Sequence, residues 1–253
     1  MKFLRDKITI VLLFIFPCSS FSITAETVDN VLSHIFEAKQ KFYKKIQDIE
    51  LAQDITFLNN GKYLSAKCKT YKKGEKYRVA TESTGIDGKV SRQLVIYDSL
   101  NFWMVNDGIK KKIKNSDSLR TEIVTQKYLL NELPKKAKIV PNQSSDSIVC
   151  LTFSKSFMNK VNISKLWINV TDTTIEKVNL HPNDSVSILF SKWREITNGC
   201  KIPFHISLYI NDILNVETVT TAVKFNTGMD DSLFDSKREK GINWKEVIKN
   251  LFH

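Results

Sequence analysis

The spacing of apolar residues changes several times along the chain. Over residues 27–49, Val28, Val31, Leu32, Ile35, Phe42, Ile46 and Ile49 recur at intervals of three and four, with Glu37, Lys39, Lys41, Lys44 and Lys45 between them. That spacing predicts a long amphipathic helix, with Thr27 or Asp29 placed to cap its start. The period then falls to two. Residues 54–58, 63–71, 76–81, 90–97, 102–105 and 109–113 are rich in β-branched and aromatic residues and are broken by Asn60-Gly61, Lys73-Gly74, Asp87-Gly88 and Asp107-Gly108. They predict successive strands joined as hairpins, and hence an antiparallel sheet. Helical spacing returns over residues 117–133 in Leu119, Ile123, Leu130 and Leu133, with Leu129 alongside, and Pro134 ends the run. Strand character resumes at 148–153, 165–170, 175–180, 186–193, 202–210 and 214–225, and residues 243–251 read as a short helix or a docked tail.

Most of these strands alternate. In 204–210 one face carries Phe204, Ile206, Leu208 and Ile210, and the other His205, Ser207 and Tyr209. A twisted sheet of so many strands cannot stay flat, so the pattern predicts an α+β fold: a curled antiparallel sheet, an incomplete β-barrel of roughly 11 to 12 strands, with helices covering its concave face. No internal repeat and no Pro- or Gly-rich linker divides the chain, which predicts one domain over residues 26–253.

Residues 1–25 carry a different signal. Lys2, Arg5 and Lys7 precede an unbroken apolar run at 8–16, too short to span a bilayer, and small residues follow at Ser19, Ser20, Ser22 and Ala25. This pattern predicts a secretory signal peptide cleaved after Ser22 or Ala25. The alternative is a lipoprotein signal with Cys18 as the acylated residue, although Phe16 and Pro17 stand where small residues are wanted. The expectation is an exported, periplasmic protein, with outer-membrane anchoring as the lesser alternative.

Composition narrows the function. The net charge of +11 falls by two once Lys2, Arg5, Lys7 and Asp6 are removed, and export turns that basic balance away from nucleic acid. It points to anionic head groups, an acidic partner or simple solubility. The lysine clusters 67–73, 110–114 and 135–138 stand at strand ends or turns, where they also deter edge-to-edge pairing. Outside the signal, Cys68, Cys150 and Cys200 are too few and too scattered for a disulfide framework.

Motifs for chemistry are missing. His34, His181, His205 and His253 show no metal-ligating spacing, and Gly-x-Ser-x-Gly, Ser-x-x-Lys, phosphate-cradling and dinucleotide signatures do not occur. Glu50 and Asp54 read as surface carboxylates. No catalytic residue, metal or cofactor is expected. What stands out is the apolar inventory of 15 Phe, 4 Trp and 7 Tyr, with strands apolar on both faces at 94–97 and 102–105. Either the core is full or part of it lines a cavity.

Residues 97–103, 166–170 with 175–178, and 225–234 together resemble the LolA-like family of periplasmic outer-membrane lipoprotein carriers and outer-membrane lipoprotein-sorting proteins. Tyr97-Asp98-Ser99-Leu100-Asn101-Phe102-Trp103 is similar to its "D-G-K-x-x-W-x-Y" strand pair, with Ser99 and Leu100 in place of the turn Gly and Lys. Leu166-Trp167-Ile168-Asn169-Val170 with Ile175-Glu176-Lys177-Val178 is similar to its "W-I-D-x-x-x-x-x-I-x-K" hairpin, and residues 225–234 to its closing "F-N-x-x-x-x-D-x-x-F". The resemblance implies an open barrel with a helical lid that holds the acyl chains of lipoproteins, or of another lipid, without catalysis. It implies a lipid-binding set of Trp103, Leu129, Leu130, Leu133, Leu151, Phe153, Ile188, Phe190, Phe204, Ile206 and Leu208. Lys73 stands nearest the family's lid-latching arginine and is the candidate latch. Leu129, Leu130 and Leu133 fit a movable cover or a permanent core helix. Implied partners are an inner-membrane lipoprotein-releasing transporter and an outer-membrane acceptor, with no nucleic acid and a monomeric state. A protein-binding envelope regulator or structural factor, built on the same scaffold with a filled core, is the alternative.

Overall fold

Alternation and turn chemistry together produce a long run of strands. The computed structural model describes residues 18–19, 46–59, 61–85, 87–112, 137–145, 147–153, 163–180, 184–197 and 200–238. In chain order its strands are β1 (Cys18–Ser19), β2 (Asp48–Asn59), β3 (Lys62–Lys73), β4 (Lys76–Thr84), β5 (Val90–Tyr97), β6 (Phe102–Asn106) and β7 (Ile109–Lys112). They continue as β8 (Ala137–Ile139), β9 (Ile148–Phe153), β10 (Ile163–Asn169), β11 (Thr174–Leu180), β12 (Val186–Thr197), β13 (Cys200–Ile210) and β14 (Ile213–Phe225). Asp107 and Gly108, at φ 44° and 84°, join β6 to β7, and Asn211 and Asp212, at 49° and 60°, join β13 to β14. Two successive positive-φ residues match the twist of the flanking strands, which makes these tight hairpins and fixes their register.

The expected α+β class is corrected. Between β1 and the end of the described chain the only helical elements among the described residues are 3-10 turns of three or four residues, at Pro141–Gln143, Asp231–Phe234 and Ser236–Arg238. Among the described residues the strands pair antiparallel in an open order, and no helix is longer than four residues. The helices expected at 117–133 and 243–251, and most of that at 27–49, lie outside the described residues. Where the last of these reaches described chain it fails: Asp48 and Ile49 belong to β2, because the twelve-residue ladder between β2 and β3 extends the strand back to Asp48. Long-range pairing there overrides the local helical spacing.

The chain divides into two compact units, residues 1–45 with 119–220, and residues 46–118 with 221–253. In the first, the strand order is β14-β13-β12-β11-β10-β9-β8, and the short β1 pairs with β13 at Lys201 and Cys200. In the second, the order is β7-β6-β5-β4-β3-β2-β14, so β14 contributes its residues up to Thr220 to one unit and the rest to the other.

In the second unit the chain after β14 returns as a strap over one face of the sheet. Asp48 starts this arrangement. It is 2% exposed, and its carboxylate accepts hydrogen bonds from the Thr227 amide (2.8 Å) and hydroxyl (2.9 Å) and from the amides of Gly228 (2.9 Å) and Met229 (3.1 Å). Lys73 Nζ donates to the Met229 carbonyl at 2.6 Å and meets Asp231 at 3.1 Å, with Lys76 on the same carboxylate at 3.4 Å. Further along, Arg78 donates to the Leu233 carbonyl and Lys110 to that of Ser236. These anchors hold Phe234 at 1% exposure. Burial pushes the Asp48 carboxyl up, but the donors from Thr227, Met229 and Gly228 outweigh it and hold its pKa below the ordinary value.

A depressed carboxylate contributes stability that is complete above its unfolded pKa of about 3.9 and is lost as pH falls through the lower folded value. Because it leaves the 227–229 amides without their acceptor, Asp48→Ala should cost about 1–3 kcal/mol in urea unfolding at pH 7. The gap between wild type and variant should shrink below about pH 4. An unchanged gap down to pH 2 would show that the charge does not hold the strap.

Candidate functional site

The first unit carries an apolar face that crosses every one of its main strands. Register pairs Leu151 of β9 with Leu166 of β10, Leu166 with Val178 of β11, Val178 with Ile188 of β12, Ile188 with Leu208 of β13, and Leu208 with Val216 of β14. None of the six is more than 4% exposed. Beside this row lies Phe190–Ile206–Thr218, with Phe153 and Ile168 also buried. Five strand spacings of ~4.8 Å make the row about 24 Å long. One leaflet of a bilayer's hydrocarbon core is about 15 Å deep, so an acyl chain laid along the row would fit within it.

Six of the residues expected to line a lipid site, Leu151, Phe153, Ile188, Phe190, Ile206 and Leu208, therefore share one face of one unit. Phe204 shares their alternation on β13 and is half-buried, with the Arg194 guanidinium 4.3 Å from its ring centre. Trp103 lies in the other unit, on β6, with Lys110 Nζ at 4.6 Å and Lys112 Nζ at 5.8 Å from its ring. Leu129, Leu130 and Leu133 lie outside the described residues. Lys73, the candidate latch, is engaged with the strap of the second unit. Leu166, Val178 and Val216 complete the row and escaped sequence reading. Their signal is register, which appears only when hairpin turns are used to align neighbouring strands.

The opposite face of the first unit is polar and in part exposed. There Ser191 Oγ lies 3.0 Å from His205 Nδ1, and His205 Nε2 lies 2.7 Å from Glu217 Oε1. Leu189 and Val219, 37% and 38% exposed, flank the three. This hydroxyl–imidazole–carboxylate chain spans three paired strands, whose amides serve sheet pairing. It reads as a surface polar network. Burial pushes the Cys68 and Cys150 thiols up, which disfavours their thiolate forms.

The fold has counterparts among solved structures. A DUF1329 family protein from Desulfovibrio piger superimposes with a TM-score of 0.55 at 13% identity, over 85% of this chain and 100% of that one. An outer membrane lipoprotein-sorting protein domain from Vibrio parahaemolyticus superimposes with a TM-score of 0.50 at 11% identity, over 81% of this chain and 97% of that one. At such identities the likeness is one of fold: this chain shares the fold of these two proteins. No protein-family model matches the chain, and no curated protein matches it.

The two faces make opposite demands on substitution. Leu208→Ala should cost about 2–4 kcal/mol of stability in urea, because it removes packed methyl groups and leaves a cavity. Leu189→Ala, one strand away on the wet face, should change stability by no more than about 0.5 kcal/mol. Equal losses would overturn the assignment of faces.

Proposed function

We propose that this protein is an exported, non-enzymatic carrier that binds the acyl chains of lipoproteins, or of another lipid, and moves them across the periplasm toward the outer membrane. The observation that carries this reading is the cross-strand apolar row from Leu151 to Val216, long enough for an acyl chain and backed by Phe153, Phe190 and Ile206. About a dozen methylenes transferred from water to such a surface are worth about 10 kcal/mol before the costs of ordering. The likeness of fold to a lipoprotein-sorting domain supports the same reading. Since the row is almost fully buried, a ligand must displace the packing that buries it, which suits a carrier that loads and releases.

The same burial favours a second reading, a protein-binding envelope factor whose core is filled. The two part in native mass spectrometry of protein purified from the cell envelope, followed by titration with a hydrophobic fluorescent probe. The carrier should show co-purified lipid, and after delipidation it should bind the probe and release it to added fatty acid. A lipid-free protein that takes up no probe would overturn the carrier reading in favour of the filled core.

A further inference from the structure

The second unit carries an in-register row of a different character. Gln53 of β2 pairs with Cys68 of β3, Cys68 with Thr81 of β4, Thr81 with Gln93 of β5, and Gln93 with Asn106 of β6. Five polar side chains thus form a rib on one face of the sheet, about 19 Å from end to end at ~4.8 Å per strand. Apolar groups border it. The next row on the same face is Leu51–Thr70–Val79–Val95–Met104, and beyond it stand Tyr97 and Phe102 with ring centres 4.4 Å apart. Gln53, Cys68 and Thr81 are buried, whereas Gln93 and Asn106 are half-buried and open the rib toward the β6 side.

Hydrogen bonding at that open end is poor. Asn106 Nδ2 donates to Met104 Sδ at 3.4 Å and Gln93 Nε2 donates to the same sulfur at 3.6 Å. A thioether is a weak acceptor, and here one sulfur serves two amides. Asn106 Oδ1 is buried with no hydrogen-bond partner in the protein. Exchanging O and N in that amide leaves the same deficit, because one of its ends still faces nothing polar. Buried amides with uncommitted capacity are costly in a folded chain and occur where a ligand or an ordered water completes them.

We propose that the Gln93–Asn106 end of this rib seats the polar head of an acyl ligand whose linkage both donates and accepts hydrogen bonds, an amide or a hydroxyl. Asn106 Oδ1 takes the ligand's N–H or O–H. The Gln93 amide, released from the sulfur, gives its N–H to the ligand's oxygen. Val95, Met104 and the Tyr97–Phe102 pair lie alongside for the adjoining methylenes. An ester of the same chain can accept from Gln93 but leaves Asn106 Oδ1 unmet, and a bare hydrocarbon satisfies neither. The rib therefore selects among lipids by head group. This inference rests on the carrier reading and adds a specificity to it.

The test measures displacement of a bound hydrophobic fluorescent probe from the full chain by N-lauroylethanolamine and by methyl laurate, which share an acyl chain. In wild type the amide should act at a concentration at least tenfold lower than the ester. In Gln93→Leu/Asn106→Leu that advantage should fall below threefold, because the amide loses two hydrogen bonds and methyl laurate at most one. Should the double variant fail to fold, the side-chain amide signals of wild-type protein in nitrogen-15 NMR give the second readout. Those of Gln93 and Asn106 should both shift with N-lauroylethanolamine, whereas methyl laurate should leave that of Asn106 in place. Equal potency of the two compounds on wild type, or an advantage retained by the variant, overturns the rib as a head-group site and leaves it a place for water. A chain that binds neither compound nor probe overturns the carrier reading itself.

Discussion

Register is the constraint on which this molecule depends. Side chains alternate across a strand, so a slip of one residue in any ladder would carry its apolar set to the wet face. The hairpins at Asp107-Gly108 and Asn211-Asp212 fix that register locally, through backbone conformations that few other residue pairs adopt. Each unit then turns register into a surface. In one, Leu151, Leu166, Val178, Ile188, Leu208 and Val216 are drawn into a single apolar line. In the other, Gln53, Cys68, Thr81, Gln93 and Asn106 are drawn into a polar one.

The two lines have different energetic characters. The apolar row gains from every atom it hides, without regard to direction, which suits a hydrocarbon of any identity. The polar rib gains only where partners meet it with correct geometry, which suits discrimination. Around the rib the second unit is held by directional contacts, chiefly the Asp48 carboxylate beneath the 227–229 amides and the Lys73 and Lys76 ammonium groups on Asp231. Asp231 is exposed, and its carboxyl is held below the usual range by Lys73 first and Lys76 second. Those surface pairs guide the strap, and the covered Asp48 bears more of its attachment.

Much of the sheet was legible because short-range signals suffice for it. Residues 90–97 and 148–153 are strands over the expected bounds, since alternation and flanking turn residues coincide there. The start of β2 was not legible: Ile46 and Ile49 continue a three- and four-residue spacing, and only the ladder to β3 makes that segment extended. Nor was β8, whose three residues lie among lysines and are strand only because β9 pairs with them. Of the apolar face, the residues on long alternating strands were found, among them Phe190, Ile206 and Leu208. Leu166 and Val178 were left out because their place in the row shows only once β10 is aligned with β9 and β11 with β12. The polar rib gave no sequence signal, since its members stand 12 to 15 residues apart and each reads alone as an ordinary strand polar residue.

The account stands or falls on where a lipid tail lies. Photo-crosslinking the delipidated full chain with a diazirine-bearing fatty acid, and locating the adducts residue by residue in the tandem mass spectra of its peptides, answers this directly. The account predicts adducts on Ile188, Phe190, Ile206 and Leu208, with Leu189 and Val219 on the reverse face unlabelled. Adducts concentrated on Leu189 and Val219, or a row left unlabelled at saturating fatty acid, would contradict it.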